Sequence, residues 1–356
     1  MKAVWLLREG EDIRSFWELL DLSGWDEFFR THSALLPPGA MTPSQFALAV
    51  AEGDGSGWDL GAQALNALRA GVKGSLQLFT VLLLGGCLLG LLSPGERGGV
   101  SRTGAVCMRL GLCALVMLLL LGSVTAARQA LRDITTLYKI TLTLSLSALT
   151  LLGSPGTAAA LGAAGEVLLG TILGAMEKGM VPLIAAGGVL GTADAGEKGV
   201  FYGLSQLTEG VCRGGIRLVS LLYMAVSGLL NTGAATADAL LLKTGRAAAG
   251  ALPALGGLVS DSMEAVAGCL GALKSGLGTT AVLLLVLVIL SPALSLLLQA
   301  LAVKAASLFA FSLGAGAMAP VCQSLHRMLT LLASLLIAAA AMGAVCIRSA
   351  MSMGGW

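Results

Sequence analysis

Apolar residues dominate the chain in long runs, and the period of the polar interruptions fits helices throughout. A bilayer-spanning helix needs about 20 mostly apolar residues. Runs of that kind occupy Ser75–Ser93, Leu110–Ala127, Thr279–Leu301 and Leu329–Ile347, with a shorter one at Leu218–Leu230. Weaker segments lie between them: Ile134–Leu152, Thr157–Ala175 with Glu166 at its centre, Gly179–Thr192 interrupted by Pro182 and the Gly187-Gly188 pair, and Ala305–Pro320. Irregular backbone at membrane depth is tolerated only where protein shields it from lipid, so some of these are expected to be broken or re-entrant. The pattern predicts an all-α, polytopic integral membrane bundle of six to eight spans with amphipathic interfacial helices.

Two stretches depart from the apolar pattern. Residues 10–36 carry Phe16, Trp17, Trp25, Phe28 and Phe29 among acids at helical intervals, which predicts amphipathic helices that pack on something, as a solvated cap or as a docking surface. The connection 231–278 spreads Asp238, Lys243, Arg246, Asp261, Glu264 and Lys274 among small and apolar residues. It reads as two amphipathic helices separated by Gly250, Pro253, Gly256 and Gly257, lying on the membrane or between bundle halves.

Composition strengthens this picture. Of 356 residues 56% are hydrophobic and 12% charged, about half the charge of a soluble globular chain. Charge divides the chain at residue 73: ten acids and six bases before it, ten acids and sixteen bases after it. The expected organisation is therefore an acidic N-terminal region, 1–73, and a transmembrane domain, 74–356. No Lys/Arg stripe interleaved with aromatics is present, so nucleic acid is not an expected partner. Ala3–Leu7 is too short for the apolar core of a secretory signal. The positive-inside rule gives conflicting orientations: Arg97 and Arg102 place the acidic region outside, whereas Arg128, Arg132 and Lys139 in the next connection argue the reverse.

Chemistry-bearing motifs are sparse. The seven cysteines have no C-x-x-C pair or metal-ligand spacing and read as small apolar packing residues. His32 and His326 lie apart without a triad or ligand set around them. Gly191–Gly199 has Glu197 before Lys198 and no Ser or Thr after it, which is incompatible with a phosphate loop. No enzymatic activity, cofactor or metal is expected. Glu166 is the candidate intramembrane polar residue, readable as part of an ion path, as a partner of Lys178 or Arg213, or as a mark of an interfacial helix. Pro182, Gly187, Gly188, Pro253, Gly256 and Gly257 are candidate helix breaks; a double glycine shortly after a proline occurs twice, an arrangement that transporters with internal repeats use at midplane sites. Gly86/Gly90, Gly170/Gly174 and Gly187/Gly191 have the spacing that lets membrane helices approach closely.

Residues 236–278 resemble the signature region of the stage III sporulation protein AE family. The matching features are Thr236-Ala237-Asp238, Lys243-Thr244 with Arg246, Gly250, Pro253-x-x-Gly256, Ser260-Asp261 and Leu273-Lys274-x-Gly276. The likeness continues through Pro292, Lys304, Gly314-Ala-Gly316, Pro320 and Cys322. The resemblance implies a multi-pass protein of the mother-cell membrane around the forespore, part of a secretion-like channel complex between the two cells that supports late forespore gene expression. It implies as partners the other stage III sporulation A-operon proteins, including a cytoplasmic ATPase, and stage II sporulation protein Q on the forespore side. Lys243, Arg246, Asp261, Lys274 and Lys304 are the candidate interaction residues. Interfacial anchoring or helix capping accounts equally for several of these. Two alternatives use the same residues: a stand-alone secondary transporter with Glu166 as coupling residue, and a membrane scaffold that conducts nothing.

Overall fold

The computed structural model describes residues 21–32, 42–51, 60–92, 99–151, 162, 165, 169–193, 203–225, 256–312 and 319–352. They are helical with no strand among them. The elements are α1 (Ser23–Thr31), α2 (Pro43–Ala51), α3 (Leu60–Leu92), α4 (Gly99–Leu151), α5 (Val181–Ala193), α6 (203–225), α7 (Gly256–Ser312) and α8 (Ala319–Ser352). A helix from residue 169 enters α5 through one π-helical turn, Met176–Met180.

Among the described residues four stretches are long and apolar enough to cross a membrane: Ala64–Cys87, Leu169–Thr192, Gly276–Ser312 and Ala319–Arg348. Three coincide with strong runs in the sequence. The fourth joins two segments expected to be separate, 157–175 and 179–192, because the π turn absorbs the irregularity and the helix continues. Gly187 and Gly188 are buried inside α5 and do not break it. Pro182 is the second residue of α5, directly after the π turn, so the irregularity expected at the proline falls one turn upstream. A proline supplies no N–H to the preceding turn and crowds the carbonyl four residues back, consistent with a widened turn there.

Further expectations are revised by continuity. Arg128, Arg132 and Lys139, counted for orientation as a connection, lie inside the 53-residue α4, so they do not form a loop to which the positive-inside rule applies. Residues 256–278, expected as a separate surface helix, run without interruption into the 279–301 span as part of the 57-residue α7. Gly256 and Gly257 open that helix. Lys73, the last cation of the acidic region, lies within α3.

The α7–α8 hairpin forms the centre of the bundle. Its antiparallel register is fixed by His326, which donates from Nδ1 to the Ala300 carbonyl at 2.9 Å, and by Gly343, whose missing side chain admits Leu285. Helix α3 runs beside α7 in the same direction, with Gly71 against Ser295 and Leu298, and Gly86 against Ala310. Helix α4 crosses both, tied by Ser123 Oγ donating to Gln299 Oε1 at 2.6 Å and by Tyr138 meeting Cys346 Sγ at 2.9 Å.

The described part of the acidic aromatic segment packs on this chain itself, while Phe16 and Trp17 lie outside the described residues. In α1, Trp25, Phe28 and Phe29 are buried, and the Trp25 indole donates to Thr141 Oγ1 of α4 at 3.1 Å. The Asp26 carboxylate accepts from the Ser44 backbone N–H at 3.1 Å and its hydroxyl at 2.7 Å, at the positive end of α2. Thr42 and Gln45 bracket Pro43 there in a reciprocal cap. Ahead of α1, hydrogen bonds from the Ser23 hydroxyl and then its backbone N–H hold the Asp21 carboxyl below its ordinary value. This contribution to the start of α1 is present above the carboxylate range and is lost as the pH falls through that lowered value. Replacing Trp25 by Phe removes the indole N–H and part of a fully buried ring; the expected cost is about 1–3 kcal/mol, read as faster proteolysis of the N-terminal helices with the remaining bundle intact.

Candidate functional site

Glu209, Arg213 and Arg327 come together where α5, α6 and α8 meet, and glycine makes that meeting close. A Cβ on Gly187 would fall 3.1 Å from Thr208 Cγ2, and one on Gly188 would collide with Met328 Sδ. One on Gly191 would collide with Ser324 Oγ and lie 2.7 Å from Ser205 Oγ. The approach lets Ser324 Oγ donate to the Gly188 carbonyl at 3.4 Å. In a membrane bundle such small-residue contacts supply packing where lipid gives no hydrophobic drive for association.

Beside this contact Glu209 accepts from two arginines: Arg327 Nη1 at 3.2 Å and Arg213 Nη2 at 2.7 Å. The Glu209 and Arg327 side chains are 18% and 30% exposed, whereas Arg213 reaches outward at 56%. Glu209 and Arg213 are one turn apart on α6, the spacing at which helix ion pairs form. Arg327 arrives from α8, where it heads the charge-free stretch 328–347. That stretch rises roughly 30 Å, the thickness of a hydrocarbon core, and Arg348 closes it. The ion pair therefore lies at one end of that charge-free stretch, within the apolar span Ala319–Arg348.

A second pair lies further along the bundle. Glu177, in the π turn, accepts from Arg132 Nε at 2.6 Å, and Glu177 is 15% exposed. On the next residue of α4, Asp133 lies 3.4 Å from His32 Nε2 and accepts from Gln129 at 2.9 Å. Adjacent residues of one helix thus hold the π turn and the N-terminal cap.

The α5–α6–α8 junction encloses about 20 Å³, room for about one water molecule. A solute site is typically more than tenfold larger. Among the described residues no three His, Cys, Asp or Glu side chains are grouped to hold a metal ion. The chemistry available here is electrostatic fastening of helices.

Of the residues singled out in the sequence, Glu166, Lys243, Arg246 and Pro253 lie outside the described residues. Asp261 and Lys274 fall on the first half of α7, and Lys304 is exposed toward its other end. These three share a helix and are spread along it. Arg213, weighed as a partner for Glu166, is paired with Glu209. The structure adds Glu177, Glu209 and Arg327 as polar residues that join helices. Glu177 and Lys178 interrupt the 169–192 run visibly, and dividing that run at residue 175 hides them. The Glu209/Arg213 spacing is legible on its own, whereas nothing near Arg327 in sequence points to Glu209.

The model of the stage III sporulation protein AE family matches residues 54–354. No curated protein and no solved structure matches the chain. With the family match covering most of its length, including every helix from α3 to α8, the chain belongs to the stage III sporulation protein AE family.

Proposed function

We propose that this chain is a non-enzymatic, multi-pass component of the mother-cell membrane around the forespore. There it forms part of the secretion-like channel complex that links the two cells and supports late forespore gene expression. The observation that carries the reading is the family match over residues 54–354, which implies a role in sporulation. The four apolar helices and the glycine-fastened bundle support it as a membrane component whose work is assembly. Its proposed partners are the other stage III sporulation A-operon proteins with their cytoplasmic ATPase and, across the intermembrane space, stage II sporulation protein Q. Six crossings are reached if 110–127, within α4, and 218–230, which begins in α6, cross as well.

The stand-alone transporter reading rests on Glu166. Glu166 lies outside the described residues, and the α5–α6–α8 junction has room for one water. The test is deletion of the gene in the spore-forming host, scored with a late forespore reporter and rescued with tagged full-length protein. Arrest after engulfment, with the sporulation channel proteins co-purifying, is the expected result. Normal spores without such partners overturn the reading.

A further inference from the structure

His32 closes α1 with both nitrogens of its ring turned to oxygen atoms. Nδ1 lies 2.9 Å from the Phe28 carbonyl one turn back, and Nε2 lies 3.4 Å from Asp133 Oδ1 of α4. A carbonyl and a carboxylate accept hydrogen bonds and donate none. A neutral imidazole carries one N–H and one lone pair, so either tautomer sets a lone pair against one of these two oxygens. The imidazolium, with two N–H groups, satisfies both.

Two further features favour the charged ring. His32 stands at the C-terminal end of α1, where the last carbonyls of a helix attract a cation. Its ring also stacks on Phe28 with centroids 4.4 Å apart, a placement that favours a cation over the aromatic face. The surrounding charges leave this pairing to His32. Asp133 accepts in addition from Gln129, a neutral group, and Arg132, the adjacent cation of α4, is drawn to Glu177. Arg128 and Lys139, the next cations along α4, form no ion pair with Asp133 among the described residues. On α1 itself Asp26 is engaged by Ser44, Glu27 and Arg30 are exposed, and α2 carries no charged residue.

The helices fastened by this contact are an addition to the matched bundle. Both α1 and α2 precede residue 54, where the family match begins. Through Trp25 and Gly24, α1 covers Thr141 and Ile140 of α4.

We propose that His32 is a proton-operated latch, which in its charged form fastens α1 to α4 through Asp133 and in its neutral form weakens that hold. The sign follows from the two acceptors. Imidazole titrates between about pH 5 and 8; toward the lower end the ring is charged and both bonds are made. As the pH rises through this range the proton is lost, one nitrogen is left facing an oxygen without a hydrogen, and α1 loosens from α4. At much lower pH the pairing is lost again, because Asp133 gains a proton. Asp21, held below its ordinary value by Ser23, changes charge outside the imidazole window.

The test is amide hydrogen exchange of the full-length detergent-solubilised protein from about pH 5.5 to 8, corrected for the intrinsic pH dependence of exchange. A peptide spanning α1 is the reporter, and one from the buried centre of α8 is the reference. Protection of α1 is expected to fall about tenfold toward the alkaline end, the worth of one hydrogen bond to a charged group, while α8 stays unchanged. His32→Gln should abolish this pH dependence. Asp133→Asn should abolish it too, because an amide can donate to the lone pair of the neutral ring, and it carries the same reading if the His32 variant fails to accumulate. Protection of α1 that is constant across the range, that changes as much in these variants as in the parent, or that merely follows α8 overturns the latch. The measurement is made on the isolated protein, so its failure leaves the sporulation reading standing.

Discussion

Replacing Gly191 by Leu is expected to abolish accumulation of the folded bundle. The new Cβ alone would collide with Ser324 Oγ and lie 2.9 Å from Ser324 Cβ and 2.7 Å from Ser205 Oγ, so alanine requires both hydroxyls to rotate and α8 to give slightly, whereas leucine requires α6 and α8 to move. Overpacking a well-packed site costs about 1–3 kcal/mol, sometimes more, and here displacement of α8 would also separate Arg327 from Glu209. Alanine at the same position should give a partial loss. Gly170 and Gly174, whose added Cβ atoms would meet nothing within 4 Å, should accept alanine without loss. The measurement is the yield of monodisperse detergent-solubilised protein together with its thermal unfolding midpoint. A Gly191→Leu variant as abundant and stable as the parent would show that α5 does not seat on α6 and α8 as described.

Glu209→Gln should be the most damaging of the single charge removals. It leaves Arg327, 30% exposed and facing α6, without its carboxylate. The pair is half-buried and Gln keeps an acceptor, so the cost is that of a lost charge-assisted hydrogen bond, about 1.5–3 kcal/mol, below that of breaking a fully buried pair. The double variant Glu209→Gln with Arg327→Met should recover much of the loss, since an apolar replacement of both partners is often close to neutral. Arg213→Ala should matter little, because Arg213 is more than half exposed and Glu209 keeps Arg327. A thermodynamic cycle over these variants reads the coupling directly. Equal effects of the Arg213 and Arg327 substitutions would mean that the ion pair does not fasten α8 to α6.

Much of the helix content was legible because hydropathy and length are local properties. The runs at 279–301 and 329–347 lie within helices α7 and α8, and the described part of 75–93, residues 75–92, lies within α3. What the pattern does not contain is where a helix declines to stop. Glycine and proline were read as punctuation at 187–188 and 182, yet Gly187 and Gly188 are interior contacts of α5. Their backbone is held by neighbours that a sequence window does not include. The same applies to α7, where Asp261, Glu264 and Lys274 mark a change of polarity along one continuous helix. The aromatic residues of α1 were recognised as a packing surface; that the surface they cover is α4, through Trp25 and Thr141, is a contact across 116 positions that no periodicity encodes.

The candidate site was legible in part. An acid inside an apolar run was sought at Glu166, and the same argument applies to Glu177, where the adjoining Lys178 made the run look divided. Of the glycine pairs with close-packing spacing, 187/191 fastens the junction and Gly86 receives Ala310, while 170/174 faces open space. Spacing alone therefore identifies a permissive helix face and leaves unspecified whether anything approaches it. That information resides in Ser205, Ser324 and Met328, on two other helices.

The π turn at Met176–Met180 acts on the chain as a change of phase. One residue is inserted without adding a turn, so every side chain after it is rotated by about 100° from where an uninterrupted helix would place it. The span before the turn can thus follow the face of one neighbour, with Leu169, Leu173 and Met176 buried, and the span after it can follow another, with Val181, Ile184 and Gly188 buried. Deleting a single residue here would restore a regular helix and misalign one half against its partners, which makes the segment's length, more than any one side chain in it, the property that selection has to preserve.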